Sequence, residues 1–185
     1  MTAIQKLLKT AISMIGSDPE ADPSGKEMPW SKLFINQCFA EAFGEKTAEL
    51  LLCDYSEPQF DQSVRSYQQK DLYFNTPRIG DLVFFSGSGQ VTHAGMIYDL
   101  YAERIYAVEG SSASQAGEFN PGILKTEYLR SDSKIDGYAR PDWKMLPATG
   151  ASAYDRQMIL NFKNTYYNPG LPKIAEVWTE EVIEV

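Results

Sequence analysis

The sequence predicts an α+β fold, with helices in the N-terminal part of the chain and an antiparallel sheet after them. Apolar residues recur at helical spacing up to residue 71, and from Pro77 onward they occur in short strand-like runs. Two of these runs are separated by three residues, as in a hairpin. With 185 residues, 43% of them hydrophobic and 12% aromatic, the chain can form one domain with a hydrophobic core, or such a domain with an extension.

The first predicted helix occupies residues 1–16 and ends at Gly16. Lys6 and Lys9 interrupt its apolar face, so the segment lacks the continuous apolar core of a signal peptide. A loop rich in Pro, Gly and acidic residues follows at residues 17–28.

The second predicted helix, over residues 31–44, is expected to be largely buried. Phe34, Cys38 and Ala42 recur every four residues, with other apolar residues beside them, and Gly44 closes the helix. Two further helices are predicted at residues 47–53 and 61–71.

The strand-forming half begins with a turn that leads into a buried strand at residues 77–85. A tight connection at residues 86–89 precedes a hairpin whose strands, 93–100 and 104–110, flank residues 101–103. The remaining predictions are a Ser/Gly-rich loop at 111–121, a strand or short helix at 123–129, and a last strand at 135–141.

The composition changes after residue 145, which divides the chain into a domain at 1–145 and an extension at 146–185. Within the extension, residues 148–153 resemble a linker, 154–167 a helix, and 177–185 an edge strand. No function follows from this pattern. The extension could pack on the domain, mediate self-association, or begin a further module.

Charge and composition exclude several classes of partner. The net charge of −8 and the pI near 4.7 argue against nucleic acid, which requires clustered Lys and Arg. No apolar run is long enough for a membrane span. The two cysteines, Cys38 and Cys53, do not make a disulfide framework, and no Cys/His cluster suggests structural zinc. No cofactor is expected.

The chain has a single histidine, His93, at the start of one strand of the predicted hairpin, and Glu109 lies near the end of the other. Imidazole titrates near neutral pH, so it can take a proton from a nucleophile and return it to a leaving group. A carboxylate can accept the other ring N–H and fix the tautomer. The pattern predicts that His93 is a general base oriented by Glu109.

Four segments together resemble the CHAP family of cysteine amidases and peptidases. Residues 77–85 are similar to its Pro-x-x-Gly-Asp strand entry, 92–97 to its His-x-Gly strand, 106–111 to its Val-Glu-Gly-Asn turn, and 137–141 to its Gly-Tyr-x-Arg-Pro segment. The resemblance covers roughly residues 1–143. It implies a papain-like fold, a Cys/His/Glu site without a cofactor, and peptidoglycan as substrate.

The resemblance places the nucleophile at position 31. Members of the family have Pro-Trp-Cys at the head of the helix, and here the residues are Pro29, Trp30 and Ser31. A thiolate is favoured at a helix N-terminus, where unpaired N–H groups stabilise negative charge, and first-turn side chains also face solvent. Cys38, two turns later, is expected to be a core residue with a raised thiol pKa.

An alternative places the nucleophile at Cys38. Gln37 and Cys38 resemble the Gln-Cys pair of other CHAP enzymes, in which the Gln is linked to the oxyanion hole. In that case the helix begins later and Ser31 is only an N-cap, a role that serine favours.

Serine at the nucleophile position leaves three origins open: an engineered Cys→Ser change, a natural serine variant, or an inactive homologue. Ser111 is a second departure, since the family often has Asn there. Trp30, Phe85 and the loop at 111–121 are candidates for lining a substrate groove.

The resemblance implies cleavage of a peptidoglycan amide, as an N-acetylmuramoyl-L-alanine amidase or an endopeptidase. Two other functions stay open: a catalytically silent wall-binding or assembly module with the same fold, and a cysteine peptidase or amidase toxin with a target outside the wall. Without a signal peptide, we expect a protein made in the cytoplasm that acts at the wall, such as a phage lysin or mobile-element hydrolase.

Overall fold

A computed structural model describes residues 1–17, 27–111 and 122–146. Its elements are the helices α1 (Ala3–Ser13), α2 (Trp30–Phe43), α3 (Glu45–Leu51) and α4 (Phe60–Gln69), the strands β1 (Tyr73–Phe74), β2 (Leu82–Gly87), β3 (Gln90–Tyr101), β4 (Arg104–Ser111), β5 (Gly122–Leu129) and β6 (Ile135–Ala139), and a 3₁₀ turn, Trp143–Met145.

In these ranges the six strands form one sheet in the order β1-β6-β2-β3-β4-β5, and all neighbours are antiparallel. The predicted α+β class, with helices before an antiparallel sheet, is confirmed. The last strand in sequence, β6, lies inside the sheet between β1 and β2. The helices pack on the sheet around one apolar core.

Most predicted elements form close to their expected positions, with small shifts. The third helix is Glu45–Leu51 rather than 47–53, because Gly44, at φ +84°, ends α2 and directly precedes α3. Residues 123–129, left open between strand and helix, lie in β5. The connection at 86–89 is shorter than predicted, since β2 continues to Gly87 and β3 begins at Gln90. The two-residue strand β1 was not predicted.

Helix α2 runs against the sheet because β4 has a glycine where the helix approaches. A Cβ on Gly110 would lie 2.7 Å from the carbonyl oxygen of Trp30 and 2.9 Å from Cβ of Phe34. These are backbone and near-backbone atoms that cannot move away cheaply. Gly110 therefore sets the distance between the N-terminal turn of α2 and the end of β4.

Gly110→Ala is expected to lower the free energy of unfolding by about 1–3 kcal/mol, because the added methyl group overpacks this contact. Urea denaturation measures the change. Gly87→Ala is the matched control, since a Cβ there meets nothing within 4 Å. Equal effects of the two substitutions would contradict the close approach of α2 to β4.

A buried ion pair joins the start of α2 to the helices that follow it. Nζ of Lys32, a side chain only 3% exposed, lies 2.7 Å from Oδ2 of Asp54 and also contacts the hydroxyl of Ser63 in α4. The same ammonium stands 5.6 Å from the ring centroid of Phe60. These contacts fix the first turn of α2 beside α4.

A second buried ion pair joins residues 77–85 to residues 137–141, two of the four segments that resemble motifs of the CHAP family. Arg140, just after β6, donates from Nε and Nη2 to the two carboxylate oxygens of Asp81, each at 3.0 Å. Asp81 is fully buried and also accepts from the backbone N–H of Arg78 at 2.8 Å. The Gly-Asp and Arg-Pro segments thus hold the start of β2 against the end of β6.

Several predictions concern residues outside the described ranges: most of the loop at 17–28, the loop at 111–121 beyond Ser111, and the extension beyond residue 146. Within the described ranges, no helix has the length and apolar character that crossing a bilayer requires.

Candidate active site

Two side chains from neighbouring strands form a hydrogen-bonded pair where β3 begins and β4 ends. Nε2 of His93 lies 2.7 Å from Oε2 of Glu109. Glu109 is only 4% exposed, and a carboxylate buried to this degree requires hydrogen-bond donors. The structure therefore brings together the predicted base and its predicted orienting carboxylate.

Glu109 receives two more hydrogen bonds, both from β5. The hydroxyl of Thr126 donates to Oε1 at 2.6 Å, and the hydroxyl of Tyr128 donates to Oε2 at 3.2 Å. Space for the carboxylate comes from Gly95 in β3, where a Cβ would lie 2.6 Å from Cγ of Glu109.

The second ring nitrogen of His93 is in a different environment. Nδ1 is buried, yet it makes no hydrogen bond within the described part of the chain. The ring packs against Phe85, with centroids 5.7 Å apart, and Phe85 in turn packs against Tyr128 at 4.7 Å. With Nε2 bonded to a carboxylate, a neutral His93 has its proton on Nε2 and its lone pair on Nδ1.

Ser31 is the second residue of α2, since the helix begins at Trp30 after Pro29. Within residues 1–17, 27–111 and 122–146, no side chain caps this end. Among the described residues, the amides of Lys32 and Leu33 donate to the carbonyl of Pro29, at 2.9 and 3.0 Å. The helix therefore begins where the similarity to the Pro-Trp-Cys segment predicts. The alternative, in which the helix begins later and Ser31 is its N-cap, is wrong.

The expectation that a first-turn side chain faces solvent is also wrong, because Ser31 is 2% exposed. The residue before Ser31, Trp30, approaches β4 closely at Gly110, next to Glu109. Ser31, His93 and Glu109 therefore lie at the same end of the sheet. No hydrogen bond joins Ser31 to His93 among the described residues. Side chains alternate along a strand, so Gly110 faces α2 and Glu109 faces the opposite side of β4.

The alternative nucleophile, Cys38, lies in the middle of α2 and is fully buried. Its sulfur is 3.4 Å from the sulfur of Met14 in the α1 region. Burial, and then the charge of Glu41, raise the pKa of the Cys38 thiol well above its ordinary value. Gln37 is half-buried on the same helix.

Three of the candidate groove residues lie at the start of α2 or beside the His93–Glu109 pair. Ser111 is the last residue of β4, two positions after Glu109, and it is partly exposed. Trp30 is the partly exposed first residue of α2. Phe85 is 7% exposed and packs on the His93 ring.

The sequence analysis included Gly95 only as part of the His-x-Gly motif, without a role, and it missed Thr126 and Tyr128. The two β5 residues are separated by one position, so they lie on one face of that strand, and the register that pairs Glu109 with Leu124 brings this face to the carboxylate. The alternation was visible in the sequence, but the register was not.

In the described residues, no group of His, Cys, Asp and Glu side chains could hold a metal ion. Comparison of the chain with models of known protein families and with curated protein sequences finds no match.

Proposed function

We propose that the chain has a papain-like CHAP fold and the site of a peptidoglycan hydrolase that cleaves an amide bond by acyl transfer. Position 31 holds the nucleophile, His93 is the general base and acid, and Glu109 orients His93. The bond is the sugar–peptide amide or a peptide–peptide amide of the wall, and no cofactor takes part.

One observation carries the proposal: the bond from His93 Nε2 to buried Glu109, which leaves Nδ1 as the basic nitrogen. A structural histidine on a protein core would have both ring nitrogens satisfied. Here one nitrogen is held by a carboxylate and the other is buried without a partner in the described chain. This is the division of roles that a base requires.

The surroundings of the two candidate nucleophiles favour position 31 over Cys38. The uncapped N-terminus of α2 offers amide donors and a positive dipole end, which stabilise a thiolate or an oxyanion. Both positions are buried, but Cys38 lies in the middle of α2, away from the unpaired amides of the helix start, and the pKa of its thiol is raised. A buried thiol of this kind is chemically inert.

In the proposed reaction, Nδ1 of His93 takes the proton of the nucleophile at position 31, which attacks the amide carbonyl carbon. The backbone N–H of residue 31 donates to the oxyanion. His93 then passes its proton to the leaving amine as the C–N bond breaks, and an acyl-enzyme remains. Water, deprotonated by His93, attacks the acyl carbon, the bond to the nucleophile breaks to release the acid, and His93 returns its proton to the nucleophile. The hydrogen bond between nucleophile and base is often long in a free enzyme and tightens with substrate.

Serine at position 31 supports a second candidate function, a catalytically silent module that binds peptidoglycan. An alcohol is far less ionised than a thiol near neutral pH, so His93 activates it less effectively. The substrate groove would persist without efficient turnover. The two candidates differ in whether a thiol at position 31 restores cleavage.

The test is digestion of purified sacculi, with released fragments identified by mass spectrometry. Three proteins are compared: the chain itself, Ser31→Cys, and Ser31→Cys with Cys38→Ala. We expect both proteins with a thiol at position 31 to release fragments, and their new termini to identify the bond.

If the unchanged chain is active, a fourth protein, Cys38→Ala in the unchanged chain, is added, and loss of activity in this folded variant would assign the chemistry to Cys38 instead. Binding to sacculi without cleavage by any of the three proteins would favour the silent module. Cleavage of a soluble peptide amide but not of sacculi would move the substrate outside the wall.

Gly95→Ala is expected to lower kcat/KM of the Ser31→Cys protein by about 10²-fold, because the new methyl group displaces Glu109 and misplaces His93. The added Cβ would lie 2.6 Å from Cγ of Glu109. Gly87→Ala serves as control, and urea denaturation of both variants separates loss of activity from unfolding. An unchanged rate in Gly95→Ala would show that the position of Glu109 is not critical.

A further inference from the structure

Both carboxylate oxygens of Glu109 accept hydrogen bonds from neighbouring side chains. Oε2 accepts from Nε2 of His93 and from the hydroxyl of Tyr128, at 2.7 and 3.2 Å, while Oε1 accepts from the hydroxyl of Thr126 at 2.6 Å. An ionised carboxylate is an acceptor only, and here its two oxygens accept from three donors. The family-like motifs contain neither of the β5 residues.

We propose that Thr126 and Tyr128 are positioning residues that hold the carboxylate of Glu109 in one orientation, and so keep the proton of neutral His93 on Nε2. Their role in catalysis rests on the proposed function. Their effect on the tautomer of His93 does not, because it requires neither a nucleophile nor a substrate.

Thr126 donates to Oε1 of Glu109, the carboxylate oxygen that His93 does not contact. Without its hydroxyl, Oε1 would be a buried carboxylate oxygen lacking its short hydrogen bond, which is costly. The carboxylate could then turn about its terminal torsion, which is broad for Glu. The hydroxyl of Thr126 is also 3.3 Å from the carbonyl of Ala107, but the carboxylate contact is the shorter one.

Tyr128 acts on the pair by two routes. Its hydroxyl donates to the same oxygen that binds His93, and its ring packs on Phe85, which packs on the imidazole. Burial, and then the charge of Glu109, raise the pKa of Tyr128, so the phenol stays protonated and remains a donor. Tyr128 therefore steadies both members of the pair.

The test uses the fact that His93 is the only histidine in the chain. In protein labelled with ¹⁵N, the two ring nitrogens give one isolated pair of signals, and their shifts report which nitrogen holds the proton. The spectra are compared at a pH where the ring is neutral, for the unchanged chain, Thr126→Val, Thr126→Ser, Tyr128→Phe and the Thr126→Val/Tyr128→Phe double variant.

We expect a single Nε2–H tautomer in the unchanged chain and in Thr126→Ser, which keeps the hydroxyl. Thr126→Val should show a mixture with the Nδ1–H form, and the double variant a larger share of it. Tyr106→Phe is the control, since Tyr106 lies on the opposite face of β4 from Glu109 by alternation and packs on Tyr98. An unchanged single tautomer in the folded double variant would overturn the inference.

The same substitutions in the Ser31→Cys background separate this inference from the proposed function. Thr126→Val is expected to reduce sacculus cleavage about 10-fold, as for other groups that orient a functional histidine, and Thr126→Ser to retain it. If the tautomer shifts but no variant cleaves sacculi, the inference stands and the proposed function fails. If Ser31→Cys cleaves sacculi and Thr126→Val alters neither the tautomer nor the rate, only the inference fails.

Discussion

In the Ser31→Cys protein, Glu109→Gln is expected to lower kcat/KM for wall cleavage by about 10³–10⁴-fold, the size seen when an orienting carboxylate becomes an amide. The amide keeps the size of the side chain but can donate a hydrogen bond to Nε2 of His93. His93 would then hold its proton on Nδ1, the nitrogen that must accept one. The loss follows from the 2.7 Å contact between Nε2 and Glu109.

Glu127→Gln is the matched control for this substitution. Glu127 lies on β5, has an exposed side chain and pairs with Arg104 at the surface, so its loss should leave the rate nearly unchanged. Rates are measured at a fixed pH on the same sacculi, and circular dichroism verifies folding. A Glu109→Gln protein that cleaves as fast as the control would remove Glu109 from the mechanism.

Arg140→Met is expected to lower the free energy of unfolding by about 3–5 kcal/mol near pH 8, since it leaves a buried carboxylate without its charge partner. Asp81 is fully buried, and both of its oxygens bind Arg140 at 3.0 Å. Methionine retains much of the apolar stem of arginine, so the loss reports mainly on the ion pair.

The effect of Arg140→Met should depend on pH in a defined direction. Burial raises the pKa of Asp81 to about 6, although Arg140 acts to lower it. In the unfolded chain the pKa of Asp is about 3.9. Between these two pKa values the folded state binds more protons than the unfolded state, so the contribution of Asp81 to stability falls as the pH rises. Without Arg140 the folded-state pKa rises further. The difference in stability between the two proteins should therefore be smaller at pH 5 than at pH 8.

Urea denaturation at the two pH values measures this difference. Arg104→Met is the control, because Arg104 forms an ion pair with Glu127 in which both side chains are nearly half exposed, and such pairs contribute about 0–1 kcal/mol. A loss for Arg140→Met no larger than for Arg104→Met would contradict the structural role of the Asp81–Arg140 pair.

The hairpin and its two polar residues could be predicted from the sequence because the information is local. Alternation and a short turn, predicted at residues 101–103 and observed at 102–103, bring the start of one strand beside the end of the other, and with them His93 and Glu109. The start of α2 was similarly marked by Pro29, which favours a helix boundary.

Long-range features could not be predicted in the same way. The contacts of Thr126 and Tyr128 with Glu109 depend on the register of β5, which follows residues 112–121, and sequence alternation does not fix that register. The close approach of α2 to β4 depends on Gly110, 79 positions after Ser31 in the numbering. Strand β1 has two residues, too few for a period to appear.

If His93 activates a nucleophile at position 31, a thiol placed there is unusually reactive, and its rate of alkylation tests this without a substrate. Ser31→Cys and Ser31→Cys/His93→Ala are treated with iodoacetamide from pH 5 to 9, and peptide mass spectrometry quantifies labelling at positions 31, 38 and 53. Cys38 and Cys53 are internal references, one buried and one half-buried. We expect the thiol at position 31 to react below pH 7, about 10-fold or more faster than Cys53, and His93→Ala to abolish this advantage. A thiol at position 31 that reacts no faster than Cys53 at every pH, with or without His93, would show that His93 does not activate this position.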